Sequence, residues 1–186
     1  MRARLALSLI LALALVGCDP GAITLGKTYL EAALGTSEIT EFGYQGSRMA
    51  TYDTTVGERR WLNIQGYQTR QDGTCTLSLS IRDPQDGKTY DLGPSEGGAH
   101  AIFTSAAFPK NLLRSFSTSR AKSGTLVLSR YDTRARIVEG TFEFVARNNV
   151  QFSTDPATPD SIRVMHGRFR LGYDITAYDF KRRRSD

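Results

Sequence analysis

Residues 123–146, SGTLVLSRYDTRARIVEGTFEFVA, leave the chain little choice of fold. Leu126 and Leu128 alternate with Thr125, Val127 and Ser129; beyond Tyr131-Asp132-Thr133, Val138, Gly140, Phe142 and Phe144 alternate with Glu139, Thr141 and Glu143. A helix would scatter these apolar residues around its circumference, whereas a strand puts every second side chain on one face. The stretch predicts a β-hairpin that turns at Tyr131-Asp132-Thr133, with Leu126, Leu128, Phe142 and Phe144 facing a core. Its chemistry is packing. It holds no nucleophile with a base, no metal-spaced cluster and no phosphate loop.

Further strand candidates surround it: Ser47 to Tyr52, Arg59 to Tyr67, Gly73 to Arg82, Thr89 to Leu92, Ala99 to Thr104, and Ile162 to Tyr173, the last with Met165, Phe169, Leu171 and Tyr173 on one side; Arg114 to Thr118 leads into the hairpin. Asp83-Pro84-Gln85-Asp86-Gly87-Lys88 reads as a turn, because Pro presets φ and Gly tolerates positive φ. Residues 93–98 and 148–160 read as loops, and Ser105 to Leu113 as a helical turn interrupted by Pro109. Thr28 to Gly35 fits two patterns. Thr28 and Glu31 have capping-box spacing, yet Leu30, Ala32 and Leu34 alternate, and Gly35-Thr36-Ser37-Glu38 would turn the chain into Ile39 to Phe42. An isolated helix of about seven residues is marginal in water, so a hairpin is preferred. Many short strands without long helices predict one all-β domain over residues 28–180, a β-sandwich or flattened barrel of short antiparallel strands.

The amino-terminal segment is expected to be removed. Arg2 and Arg4 precede an apolar run from Leu5 to Val16, 12 residues long, against the ~20 that a bilayer-spanning helix needs. Leu15-Val16-Gly17-Cys18 closes it and resembles the bacterial lipobox. The resemblance implies cleavage before Cys18, with a diacylglyceryl group on the thiol and often a palmitate-type chain on the new amino terminus. Two or three acyl chains hold a protein on a membrane, since each buried methylene contributes about 0.8 kcal/mol. Residues 18–27 would then be a short tether. The eight residues from Asp19 to Gly26 reach about 28 Å at most, so the domain would sit close to a bacterial membrane, facing the periplasm.

The net charge of +5 does not describe a basic surface. Arg2 and Arg4 leave with the signal, and Lys181 to Arg184 belong to a basic tail, residues 181–186. Residues 18–180 carry 18 basic and 18 acidic side chains, which gives no electrostatic footprint for nucleic acid. The tail is read as solvated or as touching anionic headgroups. Of the two cysteines, Cys18 is assigned to the anchor, and Cys75 shares a face with Leu77, Leu79 and Ile81, which predicts a buried thiol.

The order Gly124-Thr125-Leu126-Val127-Leu128, Tyr131-Asp132, Ile137 to Phe144 and Gly167-Arg168-Phe169 resembles a family of small bacterial lipoproteins of unknown function. The resemblance implies a lipobox followed by an all-β domain. It brings no activity and no catalytic residues.

Catalysis and metals find little support in the residues. His100 and His166, the only histidines, form no metal-spaced pair; His100 follows Gly97-Gly98 at a loop edge without a nucleophile elbow, and His166 beside Arg168 and Arg170 points to solvent. Asp83 and Asp86 are explained by their turn. No catalytic residue, metal ligand or cofactor is assigned. Binding has one argument. In Arg59 to Tyr67 the inward set is Leu62 and Ile64, which leaves Trp61, Asn63, Gln65 and Tyr67 together on the other face. Aromatic rings interleaved with carboxamides suit a sugar or peptide: flat apolar area for C–H groups, donors and acceptors for hydroxyls or amides. The competing reading has Trp61 covered by the second sheet or by residues 93–113. The expectation is a lipid-anchored envelope protein with a non-catalytic binding or scaffolding role, its partner an envelope protein or a glycan; an envelope hydrolase is the lesser alternative.

Overall fold

The computed structural model describes residues 28–35, 39–42, 50–56, 59–94, 97–107, 110, 112–119 and 122–176. The expected signal peptide, Cys18, the tether over 18–27 and the basic tail over 181–186 lie outside the described residues. Among the described residues there are twelve strands: β1 (Tyr29–Leu34), β2 (Ile39–Phe42), β3 (Ala50–Val56), β4 (Arg59–Arg70), β5 (Gly73–Arg82), β6 (Thr89–Leu92), β7 (Ala99–Ala107), β8 (Leu112–Ser117), β9 (Gly124–Asp132), β10 (Ile137–Asn148), β11 (Ser161–Gly172) and β12 (Asp174–Thr176).

The all-β expectation holds, and β1 and β2 pair antiparallel as the hairpin reading requires, with Leu30 opposite Phe42; residues 36–38 of the expected turn lie outside the described residues. Not all strands are short, however: β4, β10 and β11 each run for 12 residues. The helical turn expected within Ser105 to Leu113 is absent among the described residues, because β7 continues through Ala107 and β8 begins at Leu112. The strand expected at Ser47 to Tyr52 overlaps β3, which runs on to Val56; residues 47–49 lie outside the described residues.

The hairpin of β9 and β10 sits in the middle of the sheet. Leu126 pairs with Phe142 and Thr125 with Glu143. Leu126, Leu128, Val138, Phe142 and Phe144 are all buried, as their alternation requires. The turn lies later than the sequence implies. Tyr131 and Asp132 are the last residues of β9 and the chain reverses over Thr133–Arg136. Asp132 organises that reversal, its Oδ1 accepting the N–H of Arg134 at 3.0 Å and of Ala135 at 2.7 Å. A short acidic side chain that bonds the backbone two and three residues on is a turn former in its own right.

The strands join one sheet in the order β12-β3-β4-β5-β7-β6-β9-β10-β11-β1-β2, with β8 bridging β7 and β10. Every ladder is antiparallel except β12 with β3 and β6 with β7. Such a sheet must bend to bury one face, and it does so around a single core drawn from both halves, Leu62, Ile64, Leu77 and Leu79 from one and Leu126, Phe142, Phe169 and Leu171 from the other. Each such side chain, fully buried, contributes about 1.5–3 kcal/mol. Where the β1–β2 end folds back over β4, Gly66 provides the room: a Cβ there would collide with Leu30 and Phe42. The result is the all-β, mostly antiparallel architecture that was expected.

One face assignment on β11 is corrected. Phe142 pairs with Gly167 but Phe144 pairs with Val164, so Met165 and His166 share the place opposite Glu143. This is a β-bulge, and His166 takes the left-handed conformation, φ 53°, that the extra residue imposes. The bulge reverses the parity of the strand before it. Val164 is therefore buried where Met165 was expected to be, Met165 is half-buried and His166 is exposed.

Candidate ligand-binding face

The period-two pattern of β4 puts Leu62, Ile64 and Gly66 into the core. Trp61, Asn63, Gln65 and Tyr67 fall on the outer face, Gln65 exposed and the other three half-buried. They are flanked by β5, whose register sets Arg82 beside Trp61, Ser80 beside Asn63, Ser78 beside Gln65 and Thr76 beside Tyr67. Beyond β5 lies β7, with His100 beside Ser80 and Thr104 beside Thr76. The outer surface of β4, β5 and β7 is thus small hydroxyl side chains bordered by larger rings and amides.

Two contacts hold this surface in shape. The Ser80 hydroxyl donates to Asn63 Oδ1 at 2.7 Å, fixing the carboxamide and leaving its two N–H donors free of that bond. Trp61 and His100 meet edge to face across β5, with ring centroids 6.4 Å apart and planes at 72°. An edge-to-face pair favours the positive edge of one ring against the negative face of the other. It also stands Trp61 against a neighbour instead of leaving it free to rotate.

His100 is the residue of this surface whose part in it sequence reasoning missed. It is the second residue of β7, in the strand expected from Ala99, and it is half-buried. The parity of Ala99 and Ala101, both buried, was the signal for its outward direction. Its approach to Trp61 depends on β7 lying beside β5 and was not legible. Burial pushes the His100 imidazole below its ordinary value of 6.5, which favours the neutral ring. Its Nδ1 is enclosed without a hydrogen-bond partner among the described residues.

The other singled-out residues lie elsewhere. Cys75 faces inward and is buried, its thiol pKa raised by that burial. Asp86 accepts the N–H of Tyr131 at 2.6 Å and Asp83 that of Arg60 at 3.2 Å, so both carboxylates serve the turn and its neighbours. His166 sits at the bulge, on a different part of the sheet from His100.

Flat rings, a fixed carboxamide and a row of hydroxyls suit C–H stacking and neutral hydrogen bonding rather than proton transfer. No curated protein and no solved structure matches the chain. Residues 34–170 match the family described as "Domain of unknown function (DUF6252)". That match spans most of the β-domain, from the end of β1 into β11, and the chain belongs to the DUF6252 family.

Proposed function

We propose that the protein is a lipid-anchored, non-catalytic binding module of the bacterial cell envelope, tethered through Cys18, with Trp61, Asn63, Gln65 and Tyr67 as its ligand-facing surface. The observation that carries the reading is the shared outward face of those four residues on β4, with Trp61 set against His100 and Asn63 held by Ser80. A sugar ring is the ligand class best matched, because it combines a C–H face for Trp61 or Tyr67 with hydroxyls for Asn63 and Gln65. The neutral His100 adds no charge that such a ligand would have to desolvate. The lipobox at Leu15 to Cys18 supports the anchor, and the short tether supports a ligand found close to the membrane, on its periplasmic side.

The experiment is capture from an envelope extract with the full-length protein, beside a glycan-binding screen. The reading expects a glycan or an envelope partner that wild type retains and the Trp61→Ala variant loses. Retention that ignores Trp61→Ala would overturn it.

A further inference from the structure

The core face of the sheet is apolar along most of its length and becomes polar at one end. The ladders of β4, β5, β7 and β8 set side chains in cross-strand rows. Gly66, Leu77, Phe103 and Phe116 form one row; the next holds Gln68, Cys75, Ser105 and Arg114. Buried apolar rows explain themselves through packing; of the polar row only Cys75 is buried, Gln68 and Ser105 are half-buried and the Arg114 side chain is 41% exposed, so this row lines an opening to solvent. At that place there is a pocket of about 300 Å³, the lower end of the range for small-molecule sites. Phe103, Leu112 and Leu34 line it with apolar surface, and Ser105, Arg114, Arg70 and Asp72 with polar and charged groups, the two arginines outnumbering the one carboxylate.

The polar groups have capacity to spare. Arg114 donates from Nε to Asp155 Oδ2 at 2.7 Å, and the side chain of Asp155 is 7% exposed. A guanidinium carries five N–H donors, and Arg114 has no other hydrogen-bond partner among the described residues. The Ser105 hydroxyl likewise has none among them. Asp155 is itself fastened by the N–H of Ala157 at 2.9 Å, and its backbone N–H bonds Leu113 O at 3.2 Å. Arg114 is therefore held from behind, with its planar head at the pocket.

We propose that this pocket binds a small amphipathic carboxylate, its apolar body between Phe103, Leu112 and Leu34 and its carboxylate on Arg114 and Ser105. The planar fork of arginine matches a carboxylate in two parallel bonds. The site is separate from the Trp61 surface, since it lies on the opposite face of the same strands and at their other end.

Octanoate, below its micellar concentration, is the probe, titrated into the full-length protein and followed by amide shifts and by the alkylation rate of Cys75. Octanol and octyltrimethylammonium serve as comparators. Saturable shifts at Cys75, Phe103 and Leu112, slower alkylation of Cys75, and binding about tenfold tighter than octanol are expected, the margin of a charge-assisted bond. Arg114→Gln should bring octanoate to the level of octanol. Ala107→Trp, at an exposed position of the pocket lining, should block both while the melting temperature holds. Absence of saturable shifts, equal binding of octanol or of the cationic amphiphile, or unchanged octanoate binding by folded Ala107→Trp would each overturn the proposal.

Discussion

Gly167 of β11 lies under the ring of Phe142, its register partner on β10, so closely that a Cβ at 167 would overlap the ring. Phe142 in turn stacks on Phe169 at 6.2 Å and Phe144 at 6.1 Å, which leaves it no room to retreat. Gly167→Ala should therefore destabilise by about 1–3 kcal/mol through overpacking. Phe142→Ala should cost about 3–5 kcal/mol, and Thr141→Ala, at an exposed position, much less. Urea denaturation gives the ranking. A Thr141→Ala loss equal to that of Phe142→Ala would mean the faces of β10 are inverted.

His100 supplies a pH dependence. Its pKa is lowered on folding by burial, so below about pH 6.5 the unfolded chain takes up a proton before the folded one does. Stability from the neutral ring is complete above 6.5 and declines as pH falls toward the depressed folded value. Thermal melts of wild type should fall between neutral pH and about pH 5, and His100→Gln should flatten that slope. An identical slope in the variant would contradict the burial of the ring.

Asp132, with Asp155, should contribute to a second, more acidic window. The N–H of Ala135 foremost, and then Arg130, hold its carboxyl below the ordinary 3.8. Its contribution is present above that value and is lost as pH falls through the lower folded one. Asp132→Ala should lower the melting temperature at pH 7 and converge with wild type at the acid end. A difference from wild type that does not shrink on acidification would mean the carboxylate charge plays no part.

The alternation of β4, β5, β9 and β10 was legible because each strand has one buried face and a period of two admits one answer. Gly73 to Arg82 and Thr89 to Leu92 emerge with the expected ends, since Asp83-Pro84 and Asp86-Gly87 carry their own turn chemistry. What local pattern could not supply is order across the sheet. β7 lies beside β5, and β6 is inserted between β7 and β9; Trp61 meets His100 only because of that arrangement. The bulge at Met165 and His166 was hidden for a related reason, because it is defined by pairing with Glu143 and not by residue type. The polar row of Gln68, Cys75, Ser105 and Arg114 spans four strands and has no signature in any one of them.

The proposed anchor makes its own prediction. Cys18→Ala removes the thiol that would carry the diacylglyceryl group, so labelling with a fatty-acid probe in cells should be lost and the protein should shift to an uncleaved or released form. Labelling that persists in the variant would sink the anchor.

The central claim, a ligand-binding face built on Trp61, is tested most directly by tryptophan fluorescence, which is unambiguous because the chain has one tryptophan. Packed against His100 and half-buried, Trp61 should be quenched in part by acrylamide in the free protein. Addition of a glycan recovered in the screen should shift its emission and protect it, and Asn63→Ala should weaken both effects with little change in melting temperature. A blue-shifted emission that acrylamide does not reach, unmoved by any glycan or envelope partner, would contradict the account.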